Sequence, residues 1–205
     1  MAEPFLVVFA GAPGVGKSTL ARALARELHA AYLDKGTIKD AALGLGRELK
    51  IENAQQFAAA LSYSLLIPLA RDNLTVGTQV IVDSPAGYRG FQDAIEQLVR
   101  SVKVDFRLVE CISTDEALLR ERIERRGPDL PDHRVRDWDA YQQARERLER
   151  MSGPRLVVDT AEPVSINLRK IMNALGLSAA ENRATVAAES TGAEGAVDEK
   201  KTENS

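Results

Sequence analysis

The stretch that decides the fold reads Phe5-Leu6-Val7-Val8-Phe9-Ala10-Gly11-Ala12-Pro13-Gly14-Val15-Gly16-Lys17-Ser18-Thr19-Leu20. Its first six residues are a continuous apolar run, the pattern of a strand buried on both faces of a parallel sheet. From Lys17 onward leucines recur four apart, at Leu20, Leu24 and Leu28, which places them on one side of a helix over 17–30. Between strand and helix, positions 11–18 match G-x-x-x-x-G-K-[ST] at every fixed place. Glycines there let the backbone curl until several N–H groups face one anion. The helix N-terminus adds its partial positive charge, and Lys17 a full one. A strand before and a helix after separate such a phosphate loop from a chance glycine-rich turn.

The loop predicts ATP as ligand, its phosphates held by Gly11, Ala12, Pro13, Gly14, Val15, Gly16, Lys17 and Ser18. The Ser18 hydroxyl suits Mg²⁺, a hard cation that takes oxygen ligands. Thr19 either caps the helix or touches a phosphate. A second metal residue is expected at the end of the strand Gln79-Val80-Ile81-Val82-Asp83, because ligands of a parallel sheet gather at the carboxyl ends of its strands. Asp83 would hold the ion through its water ligands. The competing reading is that Asp83 opens the Asp83-Ser84-Pro85 turn; beside the loop, the metal reading is preferred.

Outward from the loop, short β-rich runs alternate with helical stretches. Strands are expected at 5–10, 31–33, 79–83, 104–112 and 155–159. Helices are expected at 17–30, 52–73 (bent at Pro68), 91–102, 114–126, 137–151 and 164–175, with a helical turn or two at 37–43. This alternation predicts an α/β fold: a five-stranded parallel sheet with helices on both faces. A loop is expected at 127–132, where Gly127, Pro128 and Pro131 oppose helix.

The chain of 205 residues suits one domain, 1–177, followed by a tail. Residues 178–205 hold three basic and six acidic residues and no aromatic one, so an acidic disordered tail is expected there. It accounts for the whole net charge of −3, and the body is balanced at 24 basic and 24 acidic residues. A neutral body gives no electrostatic reason to expect nucleic acid as partner. No apolar run reaches membrane-spanning length. A lone cysteine, Cys111, makes no internal disulfide, and a reducing cytoplasm is the expected setting.

With these landmarks in order, residues 4–176 resemble the P-loop small-molecule kinases: nucleoside monophosphate, shikimate and gluconate kinases, with zeta-toxin and chloramphenicol phosphotransferase relatives. The nearest likeness is to compact AAA-type ATP-binding kinase-like proteins. The resemblance implies a P-loop NTPase of nucleotide-kinase type with a mobile lid at about 127–136. It also implies transfer of the ATP γ-phosphate to a hydroxyl of a small-molecule acceptor.

Three stretches carry the resemblance beyond the loop. In Tyr32-Leu33-Asp34-Lys35-Gly36-Thr37, Asp34 occupies the place of the carboxylate that takes the acceptor's proton. Many relatives have Asp-x-Asp there, where this chain has Asp-Lys-Gly; the alternative is that Asp34 begins a turn before the helix. In Arg120-Glu121-Arg122-Ile123-Glu124-Arg125-Arg126, Arg122 and Arg126 are four apart, and the resemblance implies Arg122 on the adenine and Arg126 on the transferring phosphate. The alternative is a solvated helix laced with Glu–Arg pairs. In Asp159-Thr160-Ala161-Glu162-Pro163, the resemblance implies the loop that passes the adenine; a helix cap before Pro163 is the alternative.

Other residues carry plainer expectations. His29 sits at a helix end, where a cation is favoured. His133 is a solvated loop residue near Arg134 and Arg136. Cys111 is a small core residue of the fourth strand. Tyr63, Arg71, Tyr88 and Arg89 would wall an acceptor pocket in this fold, with core packing or exposure as the plainer reading. A nucleotide-binding regulatory module without phosphotransfer is the rival function.

Overall fold

The computed structural model describes residues 3–85, 89–126, 130, 134–146 and 153–177. The expected tail lies outside the described residues, as do most of the expected lid, Tyr88 and His133.

Strands β1 (Phe5–Ala10), β2 (Ala31–Asp34), β3 (Val80–Asp83), β4 (Asp105–Ile112) and β5 (Leu156–Asp159) form one parallel sheet in the order β2-β3-β1-β4-β5. The helices are α1 (Lys17–Leu28), α2 (Lys35–Glu48), α3 (Ala54–Thr75), α4 (Arg89–Val102), α5 (Glu116–Arg126), α6 (Trp138–Glu146) and α7 (Val164–Ala174). No described helix is long and apolar enough to cross a membrane.

The continuous apolar run of β1 has its explanation in the layers around it. Every residue of β1 is buried. Side chains alternate across a strand, so Phe5, Val7 and Phe9 join one core with Leu20 and Leu24 of α1, Ile123 of α5 and Ile171 of α7. Leu6, Val8 and Ala10 join the other, with Leu66 and Leu74 of α3 and Phe91, Ile95 and Leu98 of α4. A strand between two helical layers has no polar face, as the sequence pattern requires.

Two segments differ from expectation. The turn expected at 37–43 is the 14-residue helix α2. Its glycines, Gly36, Gly44 and Gly46, and its few apolar residues blur the periodicity. It forms by packing on α3, where Ala42 and Leu43 meet Ala58, and a side chain on Gly46 would press on Ala54 at 3.3 Å. The helix expected from 114 begins at Glu116, because the Asp115 carboxylate accepts from the Leu118 amide at 2.9 Å and caps it. Thr114 turns instead to Asp159, joining the ends of β4 and β5. Likewise Asp137 caps α6 by accepting from the Ala140 amide at 2.8 Å.

Pro68 lies within α3, which continues through it over 22 residues. The missing amide of Pro68 leaves the Ser64 carbonyl without its helical donor. Ala58, Ser62, Leu66, Ala70 and Leu74, four apart, hold the helix to its neighbours by one buried face. Adjacent residues of α3 therefore differ in cost. Leu66→Ala, at a fully buried position, should destabilise by roughly 2–5 kcal/mol in urea unfolding. Leu65→Ala, 39% exposed, should cost under about 1 kcal/mol. Equal losses would contradict this facing of α3.

Candidate functional site

The strand order sets the site. β1 lies between β3 and β4, and its register puts Phe9 beside Asp83; β3 in turn puts Asp83 beside Asp34. Two carboxylates thus end adjacent strands next to the loop that leaves β1. This is the sheet edge where chain direction diverges and ligands of α/β folds gather.

The loop adopts the curl that its glycines permit. Gly11 has φ 130° and a Cβ there would fall 2.3 Å from the Cys111 carbonyl oxygen, so only glycine passes β4 at this point. Gly16 has φ 97° and hands the chain into α1 in a left-handed conformation, with no side-chain cap. The first-turn amides of α1 therefore keep the anion-binding capacity of a helix start.

Lys17 is the most constrained charge of the site. Its side chain is buried, and its Nζ donates to the Ala12 carbonyl at 2.9 Å. Removal from water pushes its pKa below the ordinary lysine value; Asp83 and then Cys111 oppose that shift, while Arg126 adds to it. Cys111, buried behind the loop, has its thiol pushed up to about 12, first by burial.

Asp83 is buried at the end of β3, and the Tyr32 hydroxyl donates to its Oδ2 at 2.9 Å. The Arg22 guanidinium lies over the Tyr32 ring, 5.5 Å from its centroid. Tyr32 and Asp34 are two apart on β2 and so share a face. That spacing is the signal that could have singled out Tyr32, which sequence reasoning quoted and gave no role. The oxygens of Ser18 and Asp83 face one cleft, the hard-donor set that Mg²⁺ prefers. Among the described residues no three His, Cys, Asp or Glu side chains cluster as a metal site. A cation here would therefore draw further oxygens from phosphates and water.

Asp34 takes the turn position that the plainer reading gave it, and it lines the cleft as well. It is the cap of α2: Oδ1 accepts from the Gly36 amide at 2.8 Å and Oδ2 from the Thr37 hydroxyl at 2.9 Å. Arg22 lies 3.7 Å away. It also lines the cleft of about 310 Å³ that contains Lys17, Ser18, Asp83 and Arg126. An ionised carboxylate offers about four acceptor positions, so two internal hydrogen bonds leave room for an incoming hydroxyl.

Arg122 and Arg126 of α5 meet at the second cleft, and Arg126 extends to the first as well. Arg126 reaches over the loop, its Nη2 lying 3.1 Å from where a Cβ on Gly14 would be, and lines both clefts. Burial lowers its pKa, and Arg134 lowers it further. Arg122 donates from Nη1 to the Thr160 carbonyl at 2.9 Å. With Thr19, Ala161 and Pro163 it lines the second cleft, of about 480 Å³. The loop after β5 is held from beneath by buried Asn167, whose Nδ2 donates to the Asp159 carbonyl at 2.7 Å. The Glu–Arg pairing of the alternative reading exists as well, in Arg120–Glu124.

Sequence reasoning gave no role to Lys35, Lys39 and Arg134, which line the first cleft. Burial pushes Lys35 down to about 8, helped by Lys39 and Arg134. Lys39 is lowered too, by burial and then by Arg134. Tyr63, expected near an acceptor pocket, lies 4.6 Å below the Lys35 ammonium and 5.1 Å from the Phe91 ring.

A family model described as an AAA domain matches residues 6–151. No curated protein matches the chain. Among solved structures, the chain is similar to a candidate kinase from Chloroflexus aurantiacus: 21% identity, 86% of this chain and 98% of that one, TM-score 0.66. It is similar to a gluconokinase from Sinorhizobium meliloti: 20% identity, 86% and 94%, TM-score 0.58. It is also similar to the APS kinase of Mycobacterium tuberculosis in complex with AMPPNP and APS: 19% identity, 86% and 99%, TM-score 0.59. The fold is that of the P-loop kinases, as the sequence implied.

The burial of Cys111 gives a direct check on how closely the loop fits the sheet. At about pH 8, near the ordinary thiol pKa, the native protein should react with a disulfide reagent far more slowly than the unfolded chain. Equal rates in the two states would contradict a sealed loop.

Proposed function

We propose that this chain, which belongs to the AAA domain family, binds ATP on loop 11–18 and transfers its γ-phosphate to a hydroxyl of a small molecule. One observation carries the reading. Asp34 and Asp83 end neighbouring strands and line one cleft with Lys17, Ser18 and Arg126. In that cleft Lys17 and Arg126 would clamp an anion, Ser18 and Asp83 would offer oxygens to a metal, and Asp34 would accept a proton. Adenine would occupy the second cleft, beside Arg122 and the 159–163 loop.

In this mechanism the loop amides and Lys17 hold the β- and γ-phosphates. Ser18 and Asp83 would hold Mg²⁺, which supplies neutralising charge on the phosphate oxygens. Asp34 orients the acceptor hydroxyl and accepts its proton as the oxygen bonds to the γ-phosphorus; the bond from that phosphorus to the β,γ-bridging oxygen breaks, and ADP leaves. Arg126 stabilises charge on the transferring group. The Tyr32 hydroxyl fixes the direction of the Asp83 carboxylate.

The regulatory-module reading draws on the capping role of Asp34, which could be wholly structural. Transfer of labelled γ-phosphate to a metabolite library separates the two: tight ATP binding with no labelled acceptor would favour the module. Asp34→Asn is the sharper instrument, because Asn caps a helix about as well as Asp and cannot take a proton. The variant should keep its melting temperature and ATP affinity and lose transfer by about 10²–10⁴-fold. Undiminished transfer would remove Asp34 from the chemistry.

A further inference from the structure

We propose that the acceptor is an anion, held through a carboxylate or phosphoryl group by an oxyanion subsite of Lys35, Lys39 and Arg134. The inference rests on the phosphotransfer reading and deepens it by naming the charge class of the acceptor.

Lys35 and Lys39 are four apart on α2, so both side chains leave one face of the helix, and both line the first cleft. The third cation comes from far along the chain. Arg134 is brought in by an ion pair with Asp40, Nη2 to Oδ2 at 2.5 Å. Its approach depends on the missing side chain at Gly36. A Cβ there would lie 2.7 Å from both Nη1 and Nη2 of Arg134. The guanidinium thus rests against the first turn of α2, next to Asp34.

Like charges in one small cleft repel, and the repulsion grows as water is excluded. Among the described residues neither Lys35 nor Lys39 makes an ion pair. The aromatic ring of Tyr63 under Lys35 anchors its ammonium without cancelling the charge. The two carboxylates of the cleft are engaged elsewhere: Asp34 caps α2 and faces Arg22, and Asp83 accepts from Tyr32. The triphosphate is matched by the loop, Lys17 and Arg126. Lys35 and Lys39 remain, beside an Arg134 that Asp40 already pairs, and an entering oxyanion would relieve the repulsion among the three. Bound there, the acceptor's oxyanion places its body against Asp34, where its hydroxyl must sit.

Glycerol, glycerate and glycerol 3-phosphate share a polyol frame and differ in charged group. Each is titrated by calorimetry into protein saturated with Mg²⁺ and AMPPNP, so that the phosphate loop is already filled. Glycerate or glycerol 3-phosphate should bind at millimolar concentration and glycerol should not; the tighter of the two identifies carboxylate or phosphate as the source. Lys35→Gln/Lys39→Gln should weaken that binding about tenfold or more, as loss of charged hydrogen bonds does. AMPPNP affinity should fall less than oxyanion affinity, since the loop, Lys17 and Arg126 match the triphosphate. Gly36→Ala, a change that favours helix, should displace Arg134 and weaken the same binding. Absence of oxyanion binding to the loaded protein, equal binding of glycerol, or an unaffected double variant would overturn the subsite. Failure of AMPPNP itself to bind would instead strike the phosphotransfer reading. The subsite is then read in the free Lys17→Ala protein, where the two lysine substitutions must still weaken oxyanion binding.

Discussion

A buried ammonium beneath a glycine turn governs this structure. Lys17 opens α1, across the loop from the end of the central strand, with one carbonyl, that of Ala12, as its hydrogen-bond acceptor. A lysine so placed has lost most of its water and is only partly compensated by neighbouring carboxylates. The surrounding elements make sense as the frame for that charge. β1 must be buried on both faces to present the loop rigidly, β4 must pass close enough to demand Gly11, and β3 must deliver Asp83 alongside. An incoming triphosphate would supply the charge that the fold withholds.

In the proposed mechanism the same frame would separate three tasks in space. The strand ends of β1 and β3 would face phosphate and metal. The end of β2, continuing directly into α2, would face the acceptor. Arg122 and the loop after β5 form a second cleft on the other side of the loop. Arg126 lines both clefts, which suits a group that must act on the phosphate between them. Tyr32 and Arg22 stiffen the junction, so that Asp34 and Asp83 keep their orientations although both are ionisable groups at a sheet edge.

Much of this was legible in the sequence, and the reasons are physical. The unbroken apolar run of β1 and the loop motif are local patterns, and each follows from one element's needs. Arg122 and Arg126 of α5 were singled out by the resemblance, and their helical spacing placed them on one face. α2 was under-read because its stability comes from α3 rather than from its own periodicity, and glycines 44 and 46 dilute the signal. The cationic side of the first cleft was invisible for a different reason. Arg134 meets Gly36 and Asp40 across more than ninety residues of chain, a juxtaposition that no local pattern encodes. The departure from Asp-x-Asp at 34–36 looked like a lost carboxylate, whereas in three dimensions Gly36 is the opening through which a guanidinium enters.

Every role proposed above requires loop 11–18 to embrace a triphosphate with its divalent ion. Calorimetric titration of ATP with and without magnesium, on the intact chain and on Lys17→Ala, tests it most directly. Saturable, magnesium-strengthened binding is expected, falling about tenfold or more when the ammonium is removed. No ATP binding by the folded chain, or binding indifferent both to magnesium and to Lys17, would contradict it.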